Sequence, residues 1–351
     1  MERAHWAGLD GLRGVAAAAV VLFHAQLWFA NGYAGVDVFF ALSGFLITSL
    51  LLREHAARGR VSLGRFYARR ILRLYPALLL ACVGVIGLGV LTHRADRVAP
   101  AAVAALGYVS NWWIYLGRPA PLLEHTWTLA IEEHFYLIWP PTLMLLLSGR
   151  PGRRRWGAVV IAVAAALLIV RWPVADAVRD SYARGVPIVW GAVIAIVLQR
   201  RPTRPAWDRA RPAVLVLASA ALLVLLALPS RLPEALVTGP CGLAGLLAVV
   251  VVLATVAGPD GRGGWWGARP LVWLGRRSYG LYLYHFPILS LAMHQLTAGP
   301  ALARRVLAIG VTLVVTAASY RVVEQPLLRL KDRRFGERLE SAPVAAGDQR
   351  V

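Results

Sequence analysis

Apolar runs long enough to cross a lipid bilayer recur along this 351-residue chain. Hydrophobic residues make up 58% of the sequence, and its mean hydropathy is +0.59. A soluble domain does not need repeated apolar segments of about 20 residues each. The sequence therefore predicts an all-α, polytopic membrane protein with about ten transmembrane helices.

The placement of arginines predicts how these helices are oriented. Seven arginines lie in Arg53–Arg73 against one acid, and further arginines fill Arg150–Arg155 and Arg200–Arg211. Such loops stay on the cytoplasmic side, so both termini are predicted to be cytoplasmic. Residues 93–125 are predicted to stay outside, with an interfacial or re-entrant helix. The ten predicted helices cover residues 9–30, 36–52, 74–91, 127–148, 156–172, 186–199, 213–229, 235–257, 277–298 and 303–324.

The formal net charge of +20 does not require a nucleic-acid partner. The basic residues lie in short loops between apolar runs, which the positive-inside rule explains. Cys82 and Cys241 both lie in apolar runs and offer neither a disulfide framework nor metal-ligand spacing. We therefore expect a multi-pass protein of the cytoplasmic membrane with no metal site. Residues 1–330 would form one membrane-embedded domain, and residues 331–351 a basic, disordered cytoplasmic tail.

The first apolar run carries two ionisable residues, Arg13 and His24. Eleven residues of helix turn through about 1100°, so the two side chains share one face and lie roughly 16.5 Å apart along the axis. Ionisable groups inside a membrane are costly, which favours a functional role. The alternatives are a hydrogen-bonded core histidine and an arginine that snorkels to the interface.

Five local signatures follow one another along the chain, and a Glu-Gln-Pro segment closes the membrane part. The signatures lie at Asp10–Arg13 with His24, Gly35–Leu46, Phe66–Pro76, Trp127–Tyr136 and Ser278–Pro287, and the closing segment is Glu324–Pro326. Together they resemble acyltransferase family 3, integral-membrane enzymes that transfer acyl groups to sugar or small-molecule hydroxyls. The resemblance extends from Leu9 to about Leu330. The sequence departs from the family at Thr128 and Ala130, where serines are frequent.

The resemblance implies that Arg13 and His24 are catalytic residues, and the chemistry of their side chains agrees with this role. Acyl transfer needs a base for the acceptor hydroxyl, and a neutral imidazole suits that task near pH 7. It also needs positive charge near the donor or near the developing oxyanion, which Arg13 can supply. The resemblance further implies that Arg69, Arg70 and Arg73 bind the donor.

The basic signature fits a phosphate-bearing donor such as acyl-CoA. If the segment is helical, Arg70 and Arg73 project from one face at positions i and i+3. Guanidinium forks bind phosphates well. The alternative is that these arginines only set the topology.

The remaining candidate residues are assigned by their position on the predicted helices. Glu132 and Tyr136 share a helix face, and Glu132 is a catalytic candidate that can orient His24 or Arg13 or form a structural ion pair. Asp37 can cap its helix or pair with Arg13 or His24. Ser43 can line the substrate path or allow close helix packing. His285 is a candidate for the substrate path, whereas three further histidines are predicted to be interfacial: His125, His134 and His294.

These features predict a membrane O-acyltransferase that uses acyl-CoA, most simply acetyl-CoA, as a co-substrate and holds no permanent cofactor. The acceptor would be a hydroxyl of an envelope glycan or its lipid-linked precursor, or of a secondary metabolite such as a macrolide. A transporter or proton-coupled exporter is the alternative, since intramembrane charges also form ion pathways. The absence of a detectable inverted repeat argues against it. A scaffold without chemistry would leave the buried charges unexplained.

Overall fold

The chain folds into helices throughout the part that the structure, a computed structural model, describes. These residues are 6–147, 157, 182–198, 205–229, 231–239, 242–258, 263–294 and 299–335. The α-helices among them are α1 (Ala7–His24), α2 (Gly35–Arg58), α3 (Leu63–Leu91), α4 (Ala95–Leu106), α5 (Ser110–Tyr115), α6 (Trp127–Leu147), α7 (Val186–Leu198), α8 (Pro205–Ala227), α9 (Glu234–Val237), α10 (Leu243–Val256), α11 (Arg269–Arg276), α12 (Ser278–His294), α13 (Ala301–Ser319) and α14 (Gln325–Phe335). A π-helix, Tyr320–Glu324, joins α13 to α14.

Five helical segments within the described residues are long and apolar enough to span a membrane. Two shorter apolar helices, Tyr182–Leu198 and Leu243–Val256, accompany them. The predicted total of ten spans, the location of the termini and the domain boundaries stay predictions. The predicted helix at 156–172 and most of the predicted tail lie outside the described residues. The five segments are Ala7–His24, Gly32–Arg58, Leu63–Leu91, Trp207–Ala227 and Ala301–Lys331.

The third helix begins earlier than the sequence suggested. Its prediction started at Leu74 and placed Pro76 in the first turn, but α3 begins at Leu63 and carries Pro76 in its interior. Phe66, in the added turns, is 1% exposed and packs in a core cluster with residues of α2, α6 and α7. This burial stabilises the added turns, because packing of an apolar face supplies most of a helix's stability. The arginine-rich signature is therefore helical.

Residues 93–125 contain short helices. The apolar stretch within this segment is divided by a bend at Tyr108, which has a positive φ of 54°. Helix α4 has 12 residues, which corresponds to about 18 Å and is shorter than a bilayer core of about 30 Å. This division agrees with the prediction that residues 93–125 do not span the membrane. The side of the membrane on which they lie stays a prediction.

Helices α2 and α7 approach closely because glycines face backbone across their contact. A Cβ at Gly44 would collide with the carbonyl of Ile188, and one at Gly191 would collide with that of Ala41. Such close approach is typical of membrane helix pairs. Helix α1 packs against α2, α11 and α12, and α6 packs against α2. The candidate side chains on these helices therefore face a shared interior.

Candidate functional site

Arg13 lies on α1 and points toward α2. Its guanidinium carbon is 6.0 Å from the ring centre of Phe39, and its buried Nε has no hydrogen-bond partner within the described residues. Glu132 and Arg73 are close enough to interact with it electrostatically. Arg13 therefore belongs to a mixed-charge cluster with Glu132 and Arg73, and its catalytic role stays a prediction.

Glu132 is the acidic member of this cluster and is held in place by two hydroxyl groups. Ser43 Oγ donates to Glu132 Oε1 at 2.9 Å, and the Tyr136 hydroxyl donates to Oε2 at 3.3 Å. The predicted contact between Glu132 and Tyr136 at i and i+4 is therefore confirmed. Three candidate residues, from α2 and α6, thus form one hydrogen-bonded group. Its carboxylate lies near Arg13 and Arg70.

The arginines of α3 divide into two groups. Arg70 places its guanidinium 4.0 Å from the ring centre of Tyr136, and Arg73, which is exposed, interacts electrostatically with Arg13 and Arg70. The predicted shared face of Arg70 and Arg73 is thus present. Arg69 instead donates to Glu54 at 3.2 Å.

Glu54 is the acidic partner of Arg69. This carboxylate is 2% exposed, accepts a hydrogen bond from the backbone N–H of Ser62, and lies 3.7 Å from Arg58. A buried carboxylate needs such partners, because an unpaired charge in the interior is costly. Arg69 therefore contacts Glu54 and not Arg13 or Glu132, while its predicted role in donor binding stays a prediction.

His24 and His285 form a hydrogen-bonded pair between α1 and α12. The Nδ1 atom of His24 is 2.9 Å from the carbonyl oxygen of Val20, and His285 Nδ1 is 2.7 Å from that of Tyr282. Since a carbonyl only accepts, we assign a proton to both Nδ1 atoms. The single Nδ1 proton of His24 is then shared between the Val20 carbonyl and His285 Nε2, which accepts at 3.3 Å. This assignment leaves His24 Nε2 with a free lone pair.

His125 is the third histidine of this cluster, and the sequence did not identify it. Its ring centre is 5.4 Å from that of His285, and it stacks on Phe286 at 5.0 Å. It was expected at the membrane interface, but its side chain packs inside the protein and is only 4% exposed. Burial lowers the pKa of His125 to about 3, so the ring is neutral at physiological pH. Its position in a 3-10 turn leaves no helical spacing that could have signalled it.

Two aromatic residues connect the histidine cluster to the charge cluster. The hydroxyl of Tyr282 donates to the carbonyl of His125 at 2.9 Å and bonds Thr128 Oγ1 at 2.7 Å. Its ring centre lies 6.3 Å from that of Phe39, the residue beside Arg13. A continuous chain of side-chain contacts, here called the interior path, therefore runs from Arg13, past Phe39 and Tyr282, to the histidines.

Asp37 has a partner that the sequence did not suggest. It was expected to cap α2 or to pair with Arg13 or His24, but its Oδ2 lies 3.9 Å from Arg184. The backbone N–H of Gly239 donates to its Oδ1 at 3.2 Å. Arg184 lies more than 140 residues further along the chain, so helical spacing could not identify the pair. In the described part of the chain, no group of His, Cys, Asp and Glu is suited to hold a metal ion.

Comparison with known proteins gives this arrangement a family context. The chain is 32% identical to the peptidoglycan O-acetyltransferase OatA of Listeria monocytogenes over 93% of its length. It is 32% identical over 95% of its length to YrhL of Bacillus subtilis, provisionally named a peptidoglycan O-acetyltransferase. Provisionally named O-acetyltransferases of Staphylococcus aureus are 30% identical over 91% of the chain.

The chain spans only 56% of the length of each of these relatives. No solved structure matches it. The family described as an acyltransferase domain matches residues 6–321, nearly the whole chain and all the residues that form the two clusters. On this match, the chain belongs to acyltransferase family 3.

Proposed function

We propose that this protein is a membrane O-acetyltransferase that moves an acetyl group from acetyl-CoA to a hydroxyl of an envelope glycan. The observation that carries the proposal is the free Nε2 of His24, held at the end of an interior path that begins at Arg13. The names of the relatives, which refer to peptidoglycan, favour a glycan over a secondary metabolite. Family membership also favours an enzyme over a transporter.

In the proposed reaction His24 acts as the general base. Its Nε2 takes the proton of the acceptor hydroxyl while the hydroxyl oxygen forms a bond to the acyl carbon. The carbon–sulfur bond then breaks, and the proton held on Nε2 passes to the departing thiolate. His285 Nε2 accepts a hydrogen bond from Nδ1 of His24 throughout, and this contact stabilises the positive imidazolium.

Arg13 is too far from His24 to act on the same atoms. About 16.5 Å of helix axis separates the two residues, and Phe39 and Tyr282 lie between the clusters. We therefore assign Arg13 to the donor and not to the oxyanion. Glu132 holds the guanidinium cluster in place and balances part of its charge. The pantetheine arm would follow the interior path and bring the thioester to the histidines.

Arg70 and Arg73 would bind the donor's phosphate groups at the entrance to this path. Neighbouring guanidinium groups repel one another, and an anion bound between them lowers this electrostatic repulsion. Arg70 is fixed against the ring of Tyr136, so little rotamer freedom would be lost on binding. The role of Arg69 would be structural.

The test is acetyl transfer by the purified full chain in lipid nanodiscs, with radiolabelled acetyl-CoA and a soluble peptidoglycan fragment. His24→Ala should lower the turnover rate by about 10²–10⁴-fold and leave donor binding intact. Adding Phe23→His to this variant should not restore activity, because one residue turns the ring about 100° away. His134→Ala is the matched control, since this histidine bonds Tyr182 outside both clusters. Near-normal turnover in His24→Ala would contradict the mechanism.

A further inference from the structure

Two adjoining cavities open beside the N-terminal end of α1, which is predicted to be cytoplasmic. Their volumes are about 560 Å³ and 440 Å³. They lie where α11 and Arg277, which follows it, meet the π-helix and α14, and they share three lining residues. The shared residues are Arg277, Tyr320 and Gln325.

The lining of these cavities is strongly basic. Five arginines contribute, and no aspartate or glutamate among the described residues lines either cavity. One of the five, Arg276, pairs with Asp10 at 3.5 Å. Such a concentration of guanidinium groups favours an anion. The five are Arg269, Arg276, Arg277, Arg321 and Arg329.

Arg277 occupies the wall common to both cavities and is held rigidly. Its guanidinium carbon is 4.2 Å from the ring centre of Trp273 and 4.5 Å from that of Tyr320. One NH group donates to the carbonyl of Trp273 at 3.0 Å, whereas the buried Nε has no hydrogen-bond partner within the described residues. A buried donor without a partner is costly. A ligand that supplied an acceptor to this Nε would remove that cost and bind more tightly.

The π-helix forms part of the same wall. It carries Tyr320 and Arg321, which line the larger cavity, and it ends at Glu324. π-helical turns are frequent at functional sites. The exposed indole of Trp273 and the ring of Tyr320 offer flat surfaces beside the arginines, and such surfaces suit a nucleobase.

The cavities are electrostatically connected to the proposed donor path. Glu324 is 6% exposed and interacts with both Arg277 and Arg73. Arg73 in turn interacts with Arg13 and Arg70. An anion in the cavities would therefore belong to the same charge network as the donor-binding arginines.

We propose that these cavities bind the phosphorylated nucleotide end of the acyl-CoA donor. The inference rests on the proposed function and extends the donor site beyond Arg70 and Arg73. The arginines contact the phosphates, and Trp273 and Tyr320 lie beside the adenine. The pantetheine arm then passes Arg73 and Arg13 on its way to the histidine cluster. An anionic phospholipid headgroup offers the same phosphate chemistry, so the experiment separates the two sources.

The experiment measures ligand binding to the full chain in zwitterionic nanodiscs. The probes are acetyl-CoA, acetyl-pantetheine, which lacks the nucleotide, and adenosine 3′,5′-bisphosphate, which lacks the arm. The unmodified protein should bind acetyl-CoA more tightly than acetyl-pantetheine, and the bisphosphate should compete with acetyl-CoA. Replacing the exposed Arg321 and Arg329 together by glutamine should weaken acetyl-CoA binding by about tenfold or more. Binding of acetyl-pantetheine should not change.

Replacing Arg333 and Arg334 together by glutamine is the matched control, because it also removes two positive charges, at exposed positions of α14 that line neither cavity. Unchanged acetyl-CoA binding in the Arg321 and Arg329 double variant, alongside weaker binding in Arg73→Gln, would overturn the nucleotide site and leave the proposed function standing. Failure of the unmodified protein to bind acetyl-CoA would instead overturn the proposed donor. Loss of co-purifying anionic phospholipid from the Arg321 and Arg329 double variant, with acetyl-CoA binding unchanged, would assign the cavities to lipid and also overturn the inference.

Discussion

His285 Nε2 lies 3.3 Å from Nδ1 of His24, so the two histidines meet across the contact between α1 and α12. Two backbone carbonyls fix the pair, because each accepts from an Nδ1 atom. The arrangement resembles that of a catalytic triad, in which a second group holds the base in one tautomer. Here a neutral imidazole occupies the position in which other enzymes place a carboxylate. We therefore propose that His285 is a positioning residue for His24.

Replacing His285 tests this relationship. His285→Ala should lower kcat while the KM for the donor stays the same, because the ring acts on His24 and not on the donor path. The loss should be smaller than in His24→Ala, since the carbonyl of Val20 still holds the Nδ1 proton. We expect a decrease of about 10- to 100-fold, measured by steady-state transfer with acetyl-CoA.

His285→Gln provides the conservative comparison. The amide oxygen of glutamine can accept from His24 Nδ1 and should recover part of kcat. Equal activity in the alanine and glutamine variants, both near wild type, would mean that the contact is only structural. An increase in the donor KM without a change in kcat would place His285 on the substrate path instead.

Arg69 and Arg73 should respond differently to the same substitution. Arg69→Gln removes a partner from the buried Glu54 and should destabilise the protein by about 1–3 kcal/mol, with donor affinity preserved. Arg73→Gln should weaken acetyl-CoA binding by about tenfold with little effect on thermal unfolding. The two measurements are thermal unfolding in detergent and equilibrium binding of acetyl-CoA. A donor-binding defect in Arg69→Gln at wild-type stability would restore this residue to the donor site.

Local spacing was sufficient to predict part of the candidate site. The i, i+4 contact of Glu132 with Tyr136 and the i, i+3 relation of Arg70 to Arg73 depend only on helix geometry. The pairing of Asp37 with Arg184 depends instead on how distant helices pack. His125 was missed for the same reason, since its neighbours come from α12. Helix periodicity contains no information on such contacts.

The helix boundaries show the same limit. The sequence ended the second helix at Leu52, but α2 continues to Arg58, and Glu54 within that extension binds Arg69 of α3. The polar residues after Leu52 suggested a loop, because the sequence does not show which distant residues they pair with. Tertiary ion pairs and the burial of Phe66 stabilise helical turns that composition alone assigned to a loop.

The close contact of α2 with α7 predicts a position-specific effect of added volume. Gly44→Ala should destabilise the protein by about 1–3 kcal/mol, because the new methyl group would collide with the carbonyl of Ile188 and the backbones must separate. Gly84→Ala is the control, since no atom lies within 4 Å of its added Cβ. That substitution should be neutral or stabilising by up to about 1 kcal/mol, because alanine favours a helix. Equal thermal unfolding of both variants would contradict the observed packing.

The orientation of residues 93–125 can be tested with topology reporters fused to the chain. A reporter after Arg60 should be cytoplasmic and one after Pro119 external. A single span, α3, then separates them, since α4 and α5 are too short and are divided at Tyr108. The positive charge around Arg60 predicts that the first reporter lies on the cytoplasmic side. A cytoplasmic reporter at both positions would require the chain to cross the membrane again between Leu91 and Pro119. Two short helices would then have to span together, and the ten-helix topology would be wrong.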